Sequence, residues 1–269
     1  MALFSSNLKK MQHELDNSFI DWNRLASLSS GKYDLSGKNY EDGRKLVISL
    51  IQRASEGLDD GTELTKIIRN IHSKGGDFNR PLNEKGGTAI HVAAEQQSSV
   101  LLKALLDAGI PPAATTSSGA TPLHRAVYAG SPDNVRLLLS AGADPGAEDN
   151  MSNSPLHIAA MHNDTTEITK LLLSSGAKAY HRNSDKKRPA DLAMDRQFQK
   201  CVELLAESLR NLRRTRHIQW KCPKCSNPIK RPPAEKISWY LNLEMWEHLR
   251  FTCGNCGNVS TALCLDGEI

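Results

Sequence analysis

The fold of this chain is decided by GATPLHRAV at residues 119–127, because two similar stretches flank it. They are GGTAIHVAA at residues 86–94 and SNSPLHIAA at residues 152–160. Thr88, Thr121 and Ser154 occupy the same place in the three copies and are separated by steps of 33 residues. A weaker copy, RPADLA, begins at Arg188, 34 residues after Ser154. A fixed period of this length predicts a stack of repeated helical units.

Each copy has the residue types of a helix start, and a second helix follows it. The hydroxyl of its Thr or Ser can cap free backbone N–H groups, and a proline at the next position loses no intrahelical hydrogen bond. Small alanines then allow two helices to approach closely. A leucine-rich segment follows and ends at a glycine, where a left-handed cap favours a residue without Cβ. These residues are Leu101, Leu102, Leu105, Leu106 and Gly109, then Leu137, Leu138, Leu139 and Gly142, then Leu171, Leu172, Leu173 and Gly176.

The units resemble the ankyrin-repeat family. The family pattern T-P-L-H-x-A is complete at residues 121–126, nearly complete at 154–159, and has Ala in place of Pro at 88–93. The resemblance covers roughly residues 44–210 and implies a mainly helical solenoid of about four to five helix pairs. It also implies that His91, His124 and His157 hydrogen-bond the turns of their units. We therefore interpret these histidines as structural, and not as catalytic or metal-binding residues.

Both ends of the repeat region are predicted to be degenerate units, because terminal units must present a polar outer face. Residues 44–79 form the first unit, which ends in GGDFN at 75–79, and residues 188–210 form the last. The apolar residues of the first unit are Leu46, Val47, Leu50 and Ile51 in one helix and Leu64, Ile67, Ile68 and Ile71 in the next, and those of the last helix are Cys201, Val202, Leu204, Leu205 and Leu209.

Residues 1–43 are predicted to form one amphipathic helix and a loop. Apolar residues recur at three- and four-residue steps, which is the period of a helix with one apolar face; they are Leu8, Met11, Leu15, Phe19, Trp22 and Leu25. Two interpretations are open: the helix folds back over the first repeat, or it binds a partner or a second copy. We favour the first, because the end of a stack exposes apolar surface that needs a cover. Residues 29–42 are predicted to form a loop.

Residues 211–269 contain two C-x-x-C pairs that predict a zinc-binding module. The pairs are Cys222 with Cys225 and Cys253 with Cys256. Two residues between cysteines let both sulfurs face one ion, and two such turns complete the tetrahedral four-sulfur shell of a structural zinc site. The 27 residues between the pairs exceed the usual separation, but loop entropy rises too slowly with length to forbid the site. The alternation after the second pair predicts a strand from Val259, and the segment resembles a zinc ribbon with a small α+β fold.

The positive charge of the chain is concentrated at the junction before this module. Residues 209–236 hold nine Lys and Arg against one acidic residue, while the whole chain has a net charge of only +4. No Pro or Gly interrupts residues 209–220, so the last repeat helix is predicted to continue into this segment.

The N-terminus lacks a signal-peptide pattern, and no apolar run is long enough for a membrane span. We expect a cytosolic or nuclear protein with no membrane partner, in its own cell or in a host.

The sequence predicts a non-catalytic adaptor, because it contains no paired carboxylates, no nucleotide-binding loop and no open metal position. In the ankyrin family the turn tips and the first helix of each repeat form a concave face that binds a protein partner. By alignment, the residues of that face are Glu84, Lys85, Glu95, Gln96, Ser117, Ser118, Tyr128, Asn150, Met151, Met161, His162, Asp185 and Lys187.

Two alternative functions remain open at this point. The first is nucleic-acid binding through residues 210–236, since a cluster of Lys and Arg can contact phosphates. The second is an adaptor that a bacterium exports into a host cell. The candidate nucleic-acid contacts are Arg213, Arg214, Arg216, Lys221, Lys224, Lys230 and Arg231.

Overall fold

The computed structural model describes residues 2–17, 20–31, 35, 40–54, 61–162, 166–215, 250–252 and 259–261. These residues form twelve helices and one two-stranded sheet. By its internal contacts the chain divides into a unit of Met1–Leu209 and a unit of Arg210–Ile269. Within the described part of the chain, every helix is too short or too polar to cross a lipid bilayer.

The helices follow one another in pairs, and we call the odd-numbered member of each pair the first helix and the even-numbered member the second. Their bounds are α1 Ala2–Asp16, α2 Trp22–Ser29, α3 Tyr40–Ala54, α4 Thr62–Ser73, α5 Ala89–Ala94, α6 Val100–Asp107, α7 Pro122–Tyr128, α8 Pro132–Ser140, α9 Pro155–His162, α10 Thr166–Ser174, α11 Pro189–Asp195 and α12 Gln199–Thr215.

The pairs stack in two layers. First helices pack on first helices from α5 through α7 and α9 to α11, and second helices pack on second helices from α2 through α4, α6 and α8 to α10. One apolar core runs through the unit and includes Ile67, Leu102, Leu138, Leu172 and Leu205, all without exposed surface. The prediction of a helical stack is confirmed, with five pairs from α3 to α12, although α3 begins at Tyr40, four residues before the predicted boundary.

The N-terminal segment differs from the prediction of a single helix, because α1 ends at Asp16 and α2 begins at Trp22. The carboxylate of Asp21 accepts a hydrogen bond from the backbone N–H of Arg24 at 3.0 Å and caps the start of α2. Both helices turn their apolar residues toward the same core, and the apolar period therefore continues across the break. Phe19, which was assigned to the single helix, lies outside the described residues.

The two N-terminal helices cover the first repeat, as the favoured interpretation predicted. Helix α1 packs on α3, and α2 packs on α4. Met11 and Leu25 have no exposed surface as a result. The ammonium group of Lys74 donates hydrogen bonds to the carbonyls of Ser29 and Gly31 and satisfies free acceptors at the end of α2. The α1–α2 pair therefore acts as an additional unit at the start of the stack.

The second unit contains a short antiparallel hairpin of β1 (Arg250–Thr252) and β2 (Val259–Thr261), in which Phe251 pairs with Ser260. A strand predicted to start at Val259 is thus present over its first three residues. Leu263 and Leu265, which continued the predicted alternation, lie outside the described residues.

Candidate functional site

Three repeats begin with the same pair of side chains, a Thr or Ser followed three residues later by His. The backbone N–H of Thr88, Thr121 or Ser154 donates to Nδ1 of the following histidine at 3.3, 3.1 and 3.1 Å. The hydroxyl oxygens lie 2.9, 2.9 and 2.8 Å from the same nitrogens. A backbone N–H can only donate, so Nδ1 must accept and the ring proton of the neutral imidazole is on Nε2.

The Nε2 protons connect each repeat to the next one. His91, His124 and His157 donate to the backbone carbonyls of Ala120, Asn153 and Lys187 at 3.1, 2.9 and 3.2 Å, respectively. The predicted structural role of these histidines is confirmed by this geometry. Burial lowers the pKa of all three, although the bonded carbonyls act in the opposite direction. For His157 the pKa falls to about 4.

The last repeat, α11–α12, has an ion pair in place of the Thr–His pair. The backbone N–H of Arg188 donates to Oδ2 of Asp191 at 2.8 Å, as the Thr or Ser backbone does to histidine elsewhere. The guanidinium of Arg188 also binds both carboxylate oxygens, each at 3.1 Å. Histidine has a second partner only when another repeat follows. A histidine at position 191 would carry an Nε2 proton with no carbonyl of a following repeat to accept it. The Asp191 carboxylate caps the helix without such a donor.

The turn tips that precede the first helices form a hydrogen-bonded row. The backbone N–H of Ser117 donates to the carbonyl of Lys85 at 3.0 Å. The same contact recurs from Asn150 to Ser118 and from Ser184 to Met151, each at 2.9 Å. The spacing and direction of the tips are therefore fixed by these hydrogen bonds, to which the Ser117 hydroxyl and the Asn150 amide group add bonds of 2.8 and 3.0 Å.

Replacing Gly119 by alanine is expected to weaken this row. Gly119 has a φ of 76°, and a Cβ there would lie 2.8 Å from the backbone nitrogen of Asn150. Gly109 has a φ of 90° with no atom within 4 Å of its Cβ position, so it provides the matched control. Placing alanine in the left-handed conformation should lower the free energy of unfolding by about 1 kcal/mol in both variants, and the contact with Asn150 should lower it by about 1 kcal/mol more in Gly119→Ala. Urea unfolding of the two variants measures this difference, and equal losses would show that the tip contact tolerates a side chain.

The predicted partner-binding residues lie on the tips or on the first helices, except Glu95 and Gln96, which directly follow the end of α5. Eleven of them are exposed, namely Glu84, Lys85, Glu95, Ser117, Ser118, Tyr128, Asn150, Met151, His162, Asp185 and Lys187, and two are partly buried, namely Gln96 and Met161. The alignment to the repeat pattern thus located surface positions of one kind throughout the stack.

Four of these residues lie on the two neighbouring repeats that begin with α7 and α9, and we call this set the Tyr128 patch: Tyr128, Met151, Met161 and His162. The side chain of Tyr128 is 58% exposed, and that of Met151 is 53% exposed. The rings of Tyr128 and His162 meet edge to face with centroids 4.8 Å apart. The patch spans two neighbouring repeats and presents a ring, an imidazole and two thioethers.

One ion pair joins the α7 repeat to the repeat before it, and another lies within the repeat that contains α11. Arg125 contacts Glu95 through an N–O distance of 2.8 Å, and Lys187 contacts Asp195 at 2.7 Å. Neither Arg125 nor Asp195 was among the predicted site residues. Arg125 lies three residues before Tyr128 on α7, so helical periodicity could have placed it on the same face.

The remaining predicted site residues are not described by the structure. Arg213 and Arg214 belong to α12, which continues to Thr215 as predicted. Their side chains lie outside the described residues, and so do Arg216, Lys221, Lys224, Lys230 and Arg231, and the four cysteines Cys222, Cys225, Cys253 and Cys256. Among the residues that are described, no group of three or more His, Cys, Asp or Glu side chains could hold a metal ion.

Comparison with known families supports the repeat assignment. A model described as ankyrin repeats in three copies matches residues 53–149, and a single ankyrin-repeat model matches residues 152–184. No curated protein matches the chain. Ankyrin repeats indicate a role in protein–protein interaction, and proteins built from them are generally scaffolds without enzymatic activity. Residues 53–149 and 152–184 of this chain are therefore similar to ankyrin repeats.

Proposed function

We propose that the chain is a non-catalytic adaptor that binds a protein partner on the face formed by the turn tips and first helices, the concave face of the solenoid. One observation carries this proposal. Among the described residues the large apolar side chains with high exposure are Tyr128, Met151 and Met194, and all three belong to tips or first helices. The second helices of the same repeats expose no such side chain in the described part of the chain. Aromatic and Met side chains are enriched at protein interfaces relative to the rest of a surface.

The rigidity of the face supports the same function. The tips are joined by backbone hydrogen bonds, and each histidine joins its repeat to the next one. A surface that is ordered before binding loses less conformational entropy when a partner arrives. The geometry therefore favours recognition of a partner over a role as a spacer.

Introducing glutamate either on the tips or on a second helix tests this proposal. In the full chain, Lys85→Glu combined with Met151→Glu alters two exposed tip residues, and Lys103→Glu alters an exposed residue of the second helix α6. We expect nuclease-treated lysate to yield a partner that binds the wild type and the Lys103→Glu variant. The tip variant should bind it at least about tenfold more weakly, because truncated or reversed hot-spot residues cost that much affinity.

The alternative of nucleic-acid binding makes the opposite prediction for the same samples. If the basic stretch at residues 210–236 is the binding site, nuclease removes the captured material and the tip variant behaves like the wild type. Binding to generic DNA or RNA would then weaken steeply with salt, because phosphate contacts release counterions. Such a result would replace the adaptor proposal.

We propose further that Cys222, Cys225, Cys253 and Cys256 hold one structural zinc ion. The hairpin supports this proposal, because Thr252 pairs with Val259 and the six-residue connection between them carries Cys253 and Cys256. Two cysteines separated by two residues can both bind one ion, and a second C-x-x-C pair would complete the tetrahedron. Zinc bound by four thiolates supplies folding energy and leaves no coordination position for a substrate. Reduced thiolates also favour a cytosolic or nuclear location.

A further inference from the structure

We propose that the joint between α4 and α5 is a hinge, about which a block formed by α1–α4 tilts against the repeats that begin at α5. The tilt pivots on the contact between α4 and α6, and it opens or closes the space between α3 and the tip before α5, residues 75–87. A hinge of this kind changes the curvature of a stack without unfolding any of its units. The inference concerns the movement of the stack and is independent of the partner that the stack binds.

The histidine bond that joins the other repeats has no counterpart at this joint. The carbonyls of Ala120, Asn153 and Lys187 each accept from one backbone N–H of their own tip and from a histidine of the preceding first helix. The carbonyl of Gly87 holds the same place in the tip before α5 and accepts from the N–H of Leu82 at 2.7 Å. No histidine occurs in the sequence of α3, so the preceding first helix cannot supply the second donor.

The two sides of the joint are packed together in one layer only. First helices pack on one another from α5 to α11, whereas α3 packs on α1. Among the residues that the structure describes, the block meets α5–α6 mainly through the packing of α4 on α6. The guanidinium of Arg69 in α4 donates to the carbonyl of Asp107 at the end of α6 at 2.9 Å. A joint that is packed in the second-helix layer alone can bend about that layer.

A small, partly open cleft lies in the other layer, between α3 and the tip before α5. Its lining includes Arg44 and Val47 of α3, and Pro81 and Leu82 of the tip. The interior of the cleft has room for about one water molecule. Close-packed parts of a protein resist compression. An unfilled gap at this place therefore lets α3 and the tip approach or separate without a clash.

The parts on either side of the joint are held more firmly than the joint itself. Within the block, the amide group of Gln12 donates to the hydroxyl of Ser49 at 3.0 Å, and the guanidinium of Arg53 donates to the carbonyl of Asn17 at 2.7 Å. From α5 onward the repeats are joined by the histidine bonds and by the row of tip contacts. Movement of the stack should therefore concentrate at the joint.

Distances between pairs of spin labels in the full chain test the hinge. The labels are attached to genetically encoded ketone residues, so the native cysteines stay unmodified. Each pair joins exposed positions two helices apart in one layer, which is about 20 Å. The first pair crosses the joint in the first-helix layer, the second lies in the same layer beyond the joint, and the third crosses the joint in the second-helix layer. They are Lys45 with Tyr128, Tyr128 with Met194, and Lys66 with Arg136.

We expect the distance distribution of the first pair to be at least about twice as wide as those of the other two pairs, because only the first pair spans the moving gap. Leu82→Phe places a larger side chain in the cleft and should narrow the first distribution to the width of the second. Leu106→Phe is the matched control, since Leu106 is also partly buried but lies on α6 and does not line the cleft. This control should leave the first distribution as wide as in the wild type.

Three results would overturn the hinge. Equal widths of all three pairs would show that the joint is as rigid as the others. Equal broadening of the first and third pairs would show that the whole block is loose and does not pivot on α4 and α6. An unchanged first distribution in folded Leu82→Phe would show that the cleft takes no part in the movement. Urea midpoints establish whether the two Phe variants are folded, and the three pairs in the wild-type background decide the question even if they are not.

Discussion

Removal of one ligand of the proposed zinc site by Cys222→Ser is expected to abolish zinc binding and, with it, the folding of the module around the β1–β2 hairpin. Structural zinc contributes roughly 10–16 kcal/mol to small zinc-dependent modules, and their apo forms are unfolded. The two paired strands are only three residues long each, and an isolated short hairpin is marginal in water. Elemental analysis should find one zinc per wild-type chain and almost none in the variant.

The matched control for this result is Cys264→Ser, which removes a thiol of the same segment outside the two C-x-x-C pairs. This control should retain zinc. Cobalt substitution of the wild type should give the absorption of a tetrahedral thiolate site, because four sulfurs impose that geometry. Equal metal content in the two variants, or a wild type without zinc, would show that the four cysteines serve another purpose.

Acidification from about pH 7.5 to about pH 5 should destabilise the repeats by at least about 2 kcal/mol. Burial lowers the pKa of His157 to about 4, and it also lowers the pKa of His91 and His124. Unfolded chains bind the proton more readily, with a pKa near 6.5. The stability contributed by the neutral rings is therefore complete above about pH 6.5 and is lost as the pH falls toward 4. His157 alone accounts for about 2 kcal/mol at pH 5.

The geometry explains why protonation is unfavourable in the folded repeats. At present Nδ1 accepts a hydrogen bond from a backbone N–H. A proton on Nδ1 would point at that N–H, so two donors would face each other and the hydrogen bond would be lost. Urea midpoints measured at both pH values check the prediction, and His157→Gln is the control. This variant should be less stable at neutral pH and should show a shallower pH dependence. Equal stability of the wild type at both pH values would contradict the linkage.

The repeats were predictable because their pattern is local. Thr121 and His124 are three residues apart, and the steps between copies are constant, so the period alone indicates stacked helix pairs. Exposed positions such as Tyr128 and Met151 follow from the same alignment. The family match to residues 53–184 rests on this periodicity as well.

Other features depend on contacts that the sequence does not display. The apolar period of the N-terminal segment continues through two helices, so it concealed the break that the Asp21 cap produces. The ion pair of Arg188 with Asp191 performs the function of Thr with His, but its residues share no chemistry with them. The contact of Tyr128 with His162 joins residues on neighbouring repeats, and only their stacking brings the rings together.

The bonds between repeats also bear on the order in which the chain folds as it is made. The histidine bonds connect residues 29 or 30 positions apart, and the Ser117–Lys85 tip bond connects residues 32 apart. The contact order of the stack is therefore low, and no long loop must close before a repeat is stabilised. On the ribosome, a repeat can complete its bonds once about 30 further residues have emerged. The α1–α2 pair emerges before the repeats and packs on α3 and α4, so the first repeat is already covered on that side when the later repeats form.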